Sequence, residues 1–202
     1  FLKGPLGDVP AQVGPIRDIW HDPLTFVYGT RIKEHAFANE QIAMTLAKGR
    51  YGVLLHYPVL SDTEAQSADL GDKSLVLVGN RDENALLAAF DAKLPLHVSQ
   101  NEILIDDGRR FSPGEHERSR TDAASAGPLG AMFIAARPDR PSRRVLVVAG
   151  TSPLGTFRAL SLPDLLPDYV VFDQRVAPAK DHTVLGSVPV LAAGFYAASA
   201  PR

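Results

Sequence analysis

Cysteine is absent from this chain. That absence excludes a disulfide scaffold, a zinc knuckle, an iron–sulfur site and a thiol nucleophile. It fits an oxidising compartment as well as a reducing one. No apolar run approaches the ~20 residues that a membrane-spanning helix requires. Charge of neither sign dominates: 21 Lys and Arg stand against 23 Asp and Glu, so the electrostatic footprint of a nucleic-acid binder is missing. Tryptophan occurs once, at Trp20, where it can pack a lead-in segment onto the domain or a neighbour.

Signatures of chemistry are also missing. No G-x-S-x-G nucleophile elbow occurs, and no G-x-G-x-x-G follows a strand. Gly150 and Gly155 have the G-x-x-x-x-G spacing of a phosphate loop. Thr156 stands where that loop needs Lys, however, and Pro153 removes one of its N–H donors. Ser152, Asp173 and His182 follow the chain order of a hydrolase triad, yet Pro153 directly after Ser152 cannot supply the oxyanion-hole N–H. Glu115-His116-Glu117 and Asp181-His182 lack helical i, i+4 spacing and read as solvated loop charges rather than metal ligands. His21-Asp22, His35, His56 and His97 carry no recognisable ligand spacing, and Asp106-Asp107-Gly108 reads as turn chemistry. No metal and no cofactor is expected.

What remains is an apolar content of 45% in 202 residues, enough for one sizeable core. The chain begins at Phe1 rather than Met, as a processed or trimmed piece would, and shows no signal peptide. Residues 1–23 hold Pro5, Pro10, Pro15 and Pro23 and read as an extended lead-in with a short turn around Ile16 to His21. The rest, 24–202, reads as one α/β domain. Leu24–Thr30 and Gly52–Val59 are strands flanking an amphipathic helix over Glu34–Lys48, a βαβ unit. Ser74–Gly79 is a third strand, and Asn80 with Glu83 suggests a capping-box start for a helix over Ala85–Phe90. Residues 95–136 alternate more clearly and read as an antiparallel insertion, with a hairpin at Asp107-Gly108. Arg143–Gly150 is the clearest buried strand, and Ser152-Pro153 supplies the cap and first residue of a helix over Leu154–Leu160. Tyr169–Asp173 and Val188–Tyr196 complete the set. The expected architecture is a mostly parallel, doubly wound, Rossmann- or flavodoxin-like sheet with an antiparallel hairpin insertion.

Three strands end in polar turns, Gly29-Thr30, Gly79-Asn80 and Gly150-Thr151-Ser152. Ligands of open parallel sheets bind beyond the carboxyl ends of strands, so these seven residues form the candidate ligand-binding crevice. The helix N-terminus at Ser152 is the candidate point for an anion. The competing role for each is plain turn punctuation and capping.

Gly14-Pro15-Ile16-Arg17-Asp18, Phe26–Thr30, Ser74–Asn80 with Asn84, and Val147–Thr151 together resemble the C-terminal region of large bacterial secreted α/β-hydrolases of esterase or prolyl-oligopeptidase type. The resemblance runs from about residue 14 onward. It implies that the nucleophilic Ser and its elbow belong to an upstream catalytic domain, so no catalytic residue carries over to this chain. It further implies export, to the periplasm or beyond the cell, and a non-catalytic role supporting the folding of that domain or its substrate access. The alternative reading is a free-standing α/β domain that binds a small molecule or anion in the strand-end crevice. A third is an enzyme with dispersed catalytic residues that no motif reveals.

Overall fold

The structure, a computed structural model, describes residues 13–48, 57–113, 127–176, 185–186 and 188–196. In chain order its strands are β1 (Leu24–Tyr28), β2 (Val59–Ser61), β3 (Ser74–Val78), β4 (Leu96–Val98), β5 (Ile103–Ile105), β6 (Arg110–Phe111), β7 (Gly130–Arg137), β8 (Arg140–Gly150), β9 (Tyr169–Phe172) and β10 (Ala192–Gly194). Its helices are α1 (Lys33–Ala47), α2 (Asp62–Ser67), α3 (Ala85–Phe90) and α4 (Pro153–Phe157). Seven strands form one sheet in the order β10-β9-β7-β8-β3-β1-β2, and β4-β5-β6 form a separate antiparallel sheet.

The large sheet is mixed and mostly parallel. β2, β1, β3 and β8 run together, with Phe26 opposite both Val59 and Val76 and Leu77 opposite Val147. β7 runs against β8 and β9, and β10 runs against β9. The stretch 95–136 is therefore divided. β4–β6 make up the small sheet, whereas β7 is an interior strand of the large one. An eight-residue apolar run carries no mark of which sheet will accept it, so the sequence could not make this distinction.

Because strand residues alternate between faces, each apolar run feeds two cores. Phe26, Val76, Val78, Ile134, Leu146, Val148 and Phe172 face one side, under α1, α4 and the lead-in turn. Val27, Leu75, Leu77, Phe133, Val145, Val147 and Val171 face the other, under α2, α3 and the small sheet. Continuous rather than alternating hydrophobicity in β3 and β8 follows from burial on both faces.

The helices follow from local chemistry. α1 turns Ile42, Ala43 and Ala47 inward at helical spacing. α2 begins with a full capping box: the Ser61 hydroxyl accepts the Glu64 N–H while Glu64 accepts the Ser61 N–H at 2.8 Å. α4 is capped by Ser152, with Pro153 in its first turn, as expected. For α3 the cap is Asn84, which accepts from Leu86 and Leu87, and not Asn80. Asn80 and Glu83 do make the reciprocal bonds of a capping box, but around a turn one step earlier. Of the second expected strand, Gly52–Val59, residues 52–56 lie outside the described set, Tyr57 and Pro58 are not in a strand, and β2 starts only at Val59. No helix among the described residues is long and apolar enough to cross a membrane.

Arg144 ties the described part of the lead-in, residues 13–23, to the sheet. Residues Ile16–His21 form a 3-10 turn that buries Ile16 and Ile19, and Trp20 lies against Phe26 with ring centroids 6.2 Å apart. Arg144 grips Asp22 with two hydrogen bonds of 2.9 and 2.7 Å and also donates to the Asp18 carbonyl; Ser74 Oγ donates to Asp22 at 2.6 Å. Burial pushes the Asp22 carboxyl up, but the hydrogen bonds from Arg144 and Ser74 outweigh it and hold Asp22 below its ordinary value of 3.8. A depressed carboxyl stabilises the fold above the unfolded-state pKa and loses that contribution as pH falls through the folded one. Thermal melts of Asp22→Asn and wild type should therefore differ most near neutral pH and converge below pH ~3.8. A gap that stays constant down to pH ~2 would show that the pair does not act through its charge.

Candidate functional site

The path of the chain creates one topological switch point. From β1 it passes through α1, on one face, to β2 at the edge; from β2 it passes through α2, on the opposite face, to β3 on the far side of β1. Strand order thus reverses between β1 and β3, where sheets of this kind place their ligand crevice. The turns Gly29-Thr30 and Gly79-Asn80 flank this point, and Gly150-Thr151-Ser152 ends the next parallel strand.

The structure brings Gly29, Thr30, Gly79, Asn80 and Gly150 into one polar cluster, and it fills the crevice from within. The loop after β3, residues 80–84, folds back over the end of β1. A Cβ on Gly29 would lie 2.7 Å from the backbone carbonyl of Glu83, so only glycine lets the two chains meet. Gly79 turns the chain into this loop with φ of 96°, a conformation that favours glycine. Arg31 N–H donates to the Glu83 carbonyl at 2.9 Å, sealing the contact.

Three asparagine amides then satisfy the carbonyls at the strand ends. Asn84 Nδ2 donates to Val27 at 3.0 Å and to Val78 at 3.1 Å, bridging β1 and β3. Asn80 Nδ2 donates to the Gly150 carbonyl at 2.9 Å, and Asn39 Nδ2 to the Gly29 carbonyl at 3.3 Å. All three asparagines are fully buried. Two buried carboxylates complete the cluster. Asp62 accepts from Thr30 N–H at 3.2 Å, Thr30 Oγ1 at 2.5 Å and Ala85 N–H at 2.8 Å. Glu83 accepts from Asn80 N–H at 3.0 Å and Asn39 Nδ2 at 3.2 Å, and His35 Nδ1 lies 2.7 Å from its Oε1.

Thr151 and Ser152 belong to a second, adjoining arrangement. Thr151 N–H donates to the Leu129 carbonyl at 2.9 Å, and its hydroxyl accepts the Leu129 N–H at 3.0 Å. Ser152 Oγ accepts the Gly155 N–H, and the Ser152 carbonyl accepts the Thr156 N–H at 3.0 Å. Side chains at Gly150 or Gly155 would collide with backbone of the facing turn. The two glycines of the phosphate-loop spacing thus bring β8, α4 and Leu129 together, and the N–H groups of Thr151, Gly155 and Thr156 already have protein acceptors. Of the other triad positions, Asp173 is buried and held by Arg175 Nε at 2.9 Å, and His182 lies outside the described residues.

The remaining candidates are equally ordinary in their contacts. Asp107 accepts from Arg109 N–H at 3.0 Å in a turn where Gly108 has φ of 90°. His97 bridges Asp91 and Asp106 at 3.3 and 3.1 Å. Glu115-His116-Glu117, Asp181 and His56 lie outside the described residues, and no cluster of three potential metal ligands occurs among the described ones. Two surface cavities lie away from the cluster. One, of about 450 Å³, is lined by Pro15, Leu165, Pro167, Ala193 and Phe195; the other, of about 410 Å³, adjoins Asp22 and Arg143.

Sequence reasoning missed Asn39 and Asp62 as site residues, read Glu83 only as part of a capping box, and singled out Asn84 only within the resemblance. One signal was available. Asn39 interrupts the inward stripe of α1, four residues before Ala43, and a polar residue at a core-facing helical position needs a partner.

Asn84 should dominate the stability of this region. Asn84→Ala removes a helix cap, worth about 1 kcal/mol, and takes a buried donor from the Val27 carbonyl, worth about 1–3 kcal/mol, while the Val78 carbonyl keeps the Gly29 N–H at 3.0 Å. Urea unfolding should show a loss of about 2–4 kcal/mol, whereas Ser152→Ala, whose cap is long at 3.4 Å, should lose about 1 kcal/mol or less. Equal losses would contradict this ranking.

Comparison with known proteins adds no identity to this geometry: no protein-family model matches the chain, and no curated protein matches it.

Proposed function

We propose that this chain is an accessory domain that packs against a serine-hydrolase catalytic domain of esterase or peptidase type, supporting its folding or its substrate access, in the periplasm or outside the cell. The resemblance of the sequence to the C-terminal region of secreted α/β-hydrolases supplies the partner class. On this reading the parallel half of the sheet is a doubly wound, flavodoxin-like scaffold whose work is done by an outer surface.

The observation that carries the reading is the one-sided distribution of exposed apolar groups. Among the described residues, Phe37, Met44, Leu154, Phe157, Leu165 and Phe195 are the large hydrophobics left exposed. Phe37 and Met44 stand on α1, Leu154 and Phe157 on α4, which packs on α1, and Leu165 and Phe195 beside the 450 Å³ cavity. Four of the six thus stand on the packed pair α1 and α4, and the other two share a cavity with Pro15 and Arg17 at the lead-in turn. The opposite outer layer, α2, α3 and the small sheet, exposes none of these. Apolar groups gathered on one face favour docking to another protein surface. The alternative of ligand binding in the strand-end crevice is served less well, because residues 80–84 already occupy it.

The reading frame that contains Phe1 should encode, in the same polypeptide or beside it, a hydrolase with a nucleophile-elbow serine. Phe37→Ser with Phe157→Ser should then lower soluble yield and ester hydrolysis of the whole protein by about tenfold, while leaving the melting temperature of the 202-residue chain within ~2 °C of wild type, since exposed substitutions change stability by about 0.5 kcal/mol or less. Hydrolysis of a p-nitrophenyl ester by the 202-residue chain alone, abolished in Ser152→Ala, would contradict the proposal.

A further inference from the structure

The strand-end cluster contains a feature that packing alone does not require. Glu83 is a fully buried carboxylate, and among the described residues no Lys or Arg side chain bonds its carboxylate oxygens. Three groups from two elements converge on it: the backbone N–H of Asn80, in the loop after β3, and the amide of Asn39 on Oε2, and the ring of His35, on α1 with Asn39, on Oε1. Oε2 also lies 2.8 Å from where a Cβ on Gly79 would be, so the cradle is tight around the anion. The cradle sits at the switch point between β1 and β3, where a sheet of this topology receives a ligand. Charge-assisted donors of this kind are the means by which proteins bind carboxylates.

We infer that this crevice is a carboxylate-binding site that the chain fills in cis with its own Glu83 side chain, and that a small free monocarboxylate occupies the site when that side chain is removed. His35 Nδ1, Asn39 Nδ2 and Asn80 N–H are the binding groups. The ligand class follows from the cradle: two oxygens on one carbon, a single negative charge, and a substituent no longer than the Glu83 side chain it replaces. Asn39 Oδ1, buried and without a partner among the described residues, marks the polar wall beside the site. The inference does not depend on the accessory-domain proposal, since a partner docked on the α1 face leaves it unchanged.

The test is chemical rescue. Glu83→Ala leaves the three donors without an acceptor and should melt well below wild type. Sodium formate should raise its melting temperature saturably, by roughly 3–5 °C at ten times the dissociation constant, with acetate weaker. Sodium chloride at equal ionic strength should not. Wild type, whose site is filled, and Glu83→Gln, which fills the space with a neutral amide, should respond alike to formate and chloride. If Glu83→Ala is insoluble, refolding yield replaces the melt, with formate raising it and chloride not. Equal responses of Glu83→Ala to formate and chloride, or an equal formate response in wild type or Glu83→Gln, would overturn the inference.

Discussion

The fold depends on how the ends of its parallel strands satisfy their backbone carbonyls. A buried carbonyl without a donor costs about 1–3 kcal/mol, and Val27, Gly29, Val78 and Gly150 all end in a region closed to solvent by residues 80–84. Three asparagine amides donate to all four, and the Gly29 N–H donates to Val78 as well. Each amide has two donor hydrogens on a short, rigid stem, so one Asn84 side chain reaches carbonyls on two adjacent strands. Because its Oδ1 also caps α3, the same residue fixes the start of that helix relative to the sheet. Strand spacing, loop path and helix direction are thereby set by one side chain.

This constraint orders the rest. Once the loop after β3 lies across β1, the carboxylates of Asp62 and Glu83 must be buried with it, and each is furnished with donors from neighbouring elements. The small sheet rests on the same loop: Val98 accepts the Arg81 N–H at 3.0 Å, and Asp82 accepts the Gln100 N–H at 2.9 Å. The far end of the molecule is tied separately, by Arg144 on Asp22. The strand ends are thereby internally occupied, and the large exposed apolar groups of α1 and α4 lie elsewhere.

Much of the fold was legible in the sequence because hydrophobic runs and punctuation encode it directly. β1, α1, β3 and β8 follow from run length and period, the Ser152-Pro153 start of α4 from capping chemistry, and the β5–β6 hairpin from Asp107-Gly108. The placement of β7 was not legible, since its neighbours are chosen by tertiary packing. The cap of α3 was ambiguous for a different reason. Asn80 and Asn84 offer the same side chain, and Glu83 supports a box at the first, so only the route over β1 decides. The cluster itself was half visible. Its glycines and Asn80 stood out as turn residues, Glu83 only as part of a capping box and Asn39 only as a polar break in the α1 stripe, while Asp62 becomes significant only when the sheet brings it to Thr30 and Ala85.

Native-state hydrogen exchange tests the central claim most directly. If the loop after β3 is an integral part of the sheet's closure, the amides of Arg31, Asn80 and Ala85 should exchange only through global unfolding, with the same free energy as the Leu77 amide in the centre of β3. Exchange of those three amides by local opening, at a free energy several kcal/mol below that of Leu77, would contradict the claim and show that the crevice opens while the sheet stays folded.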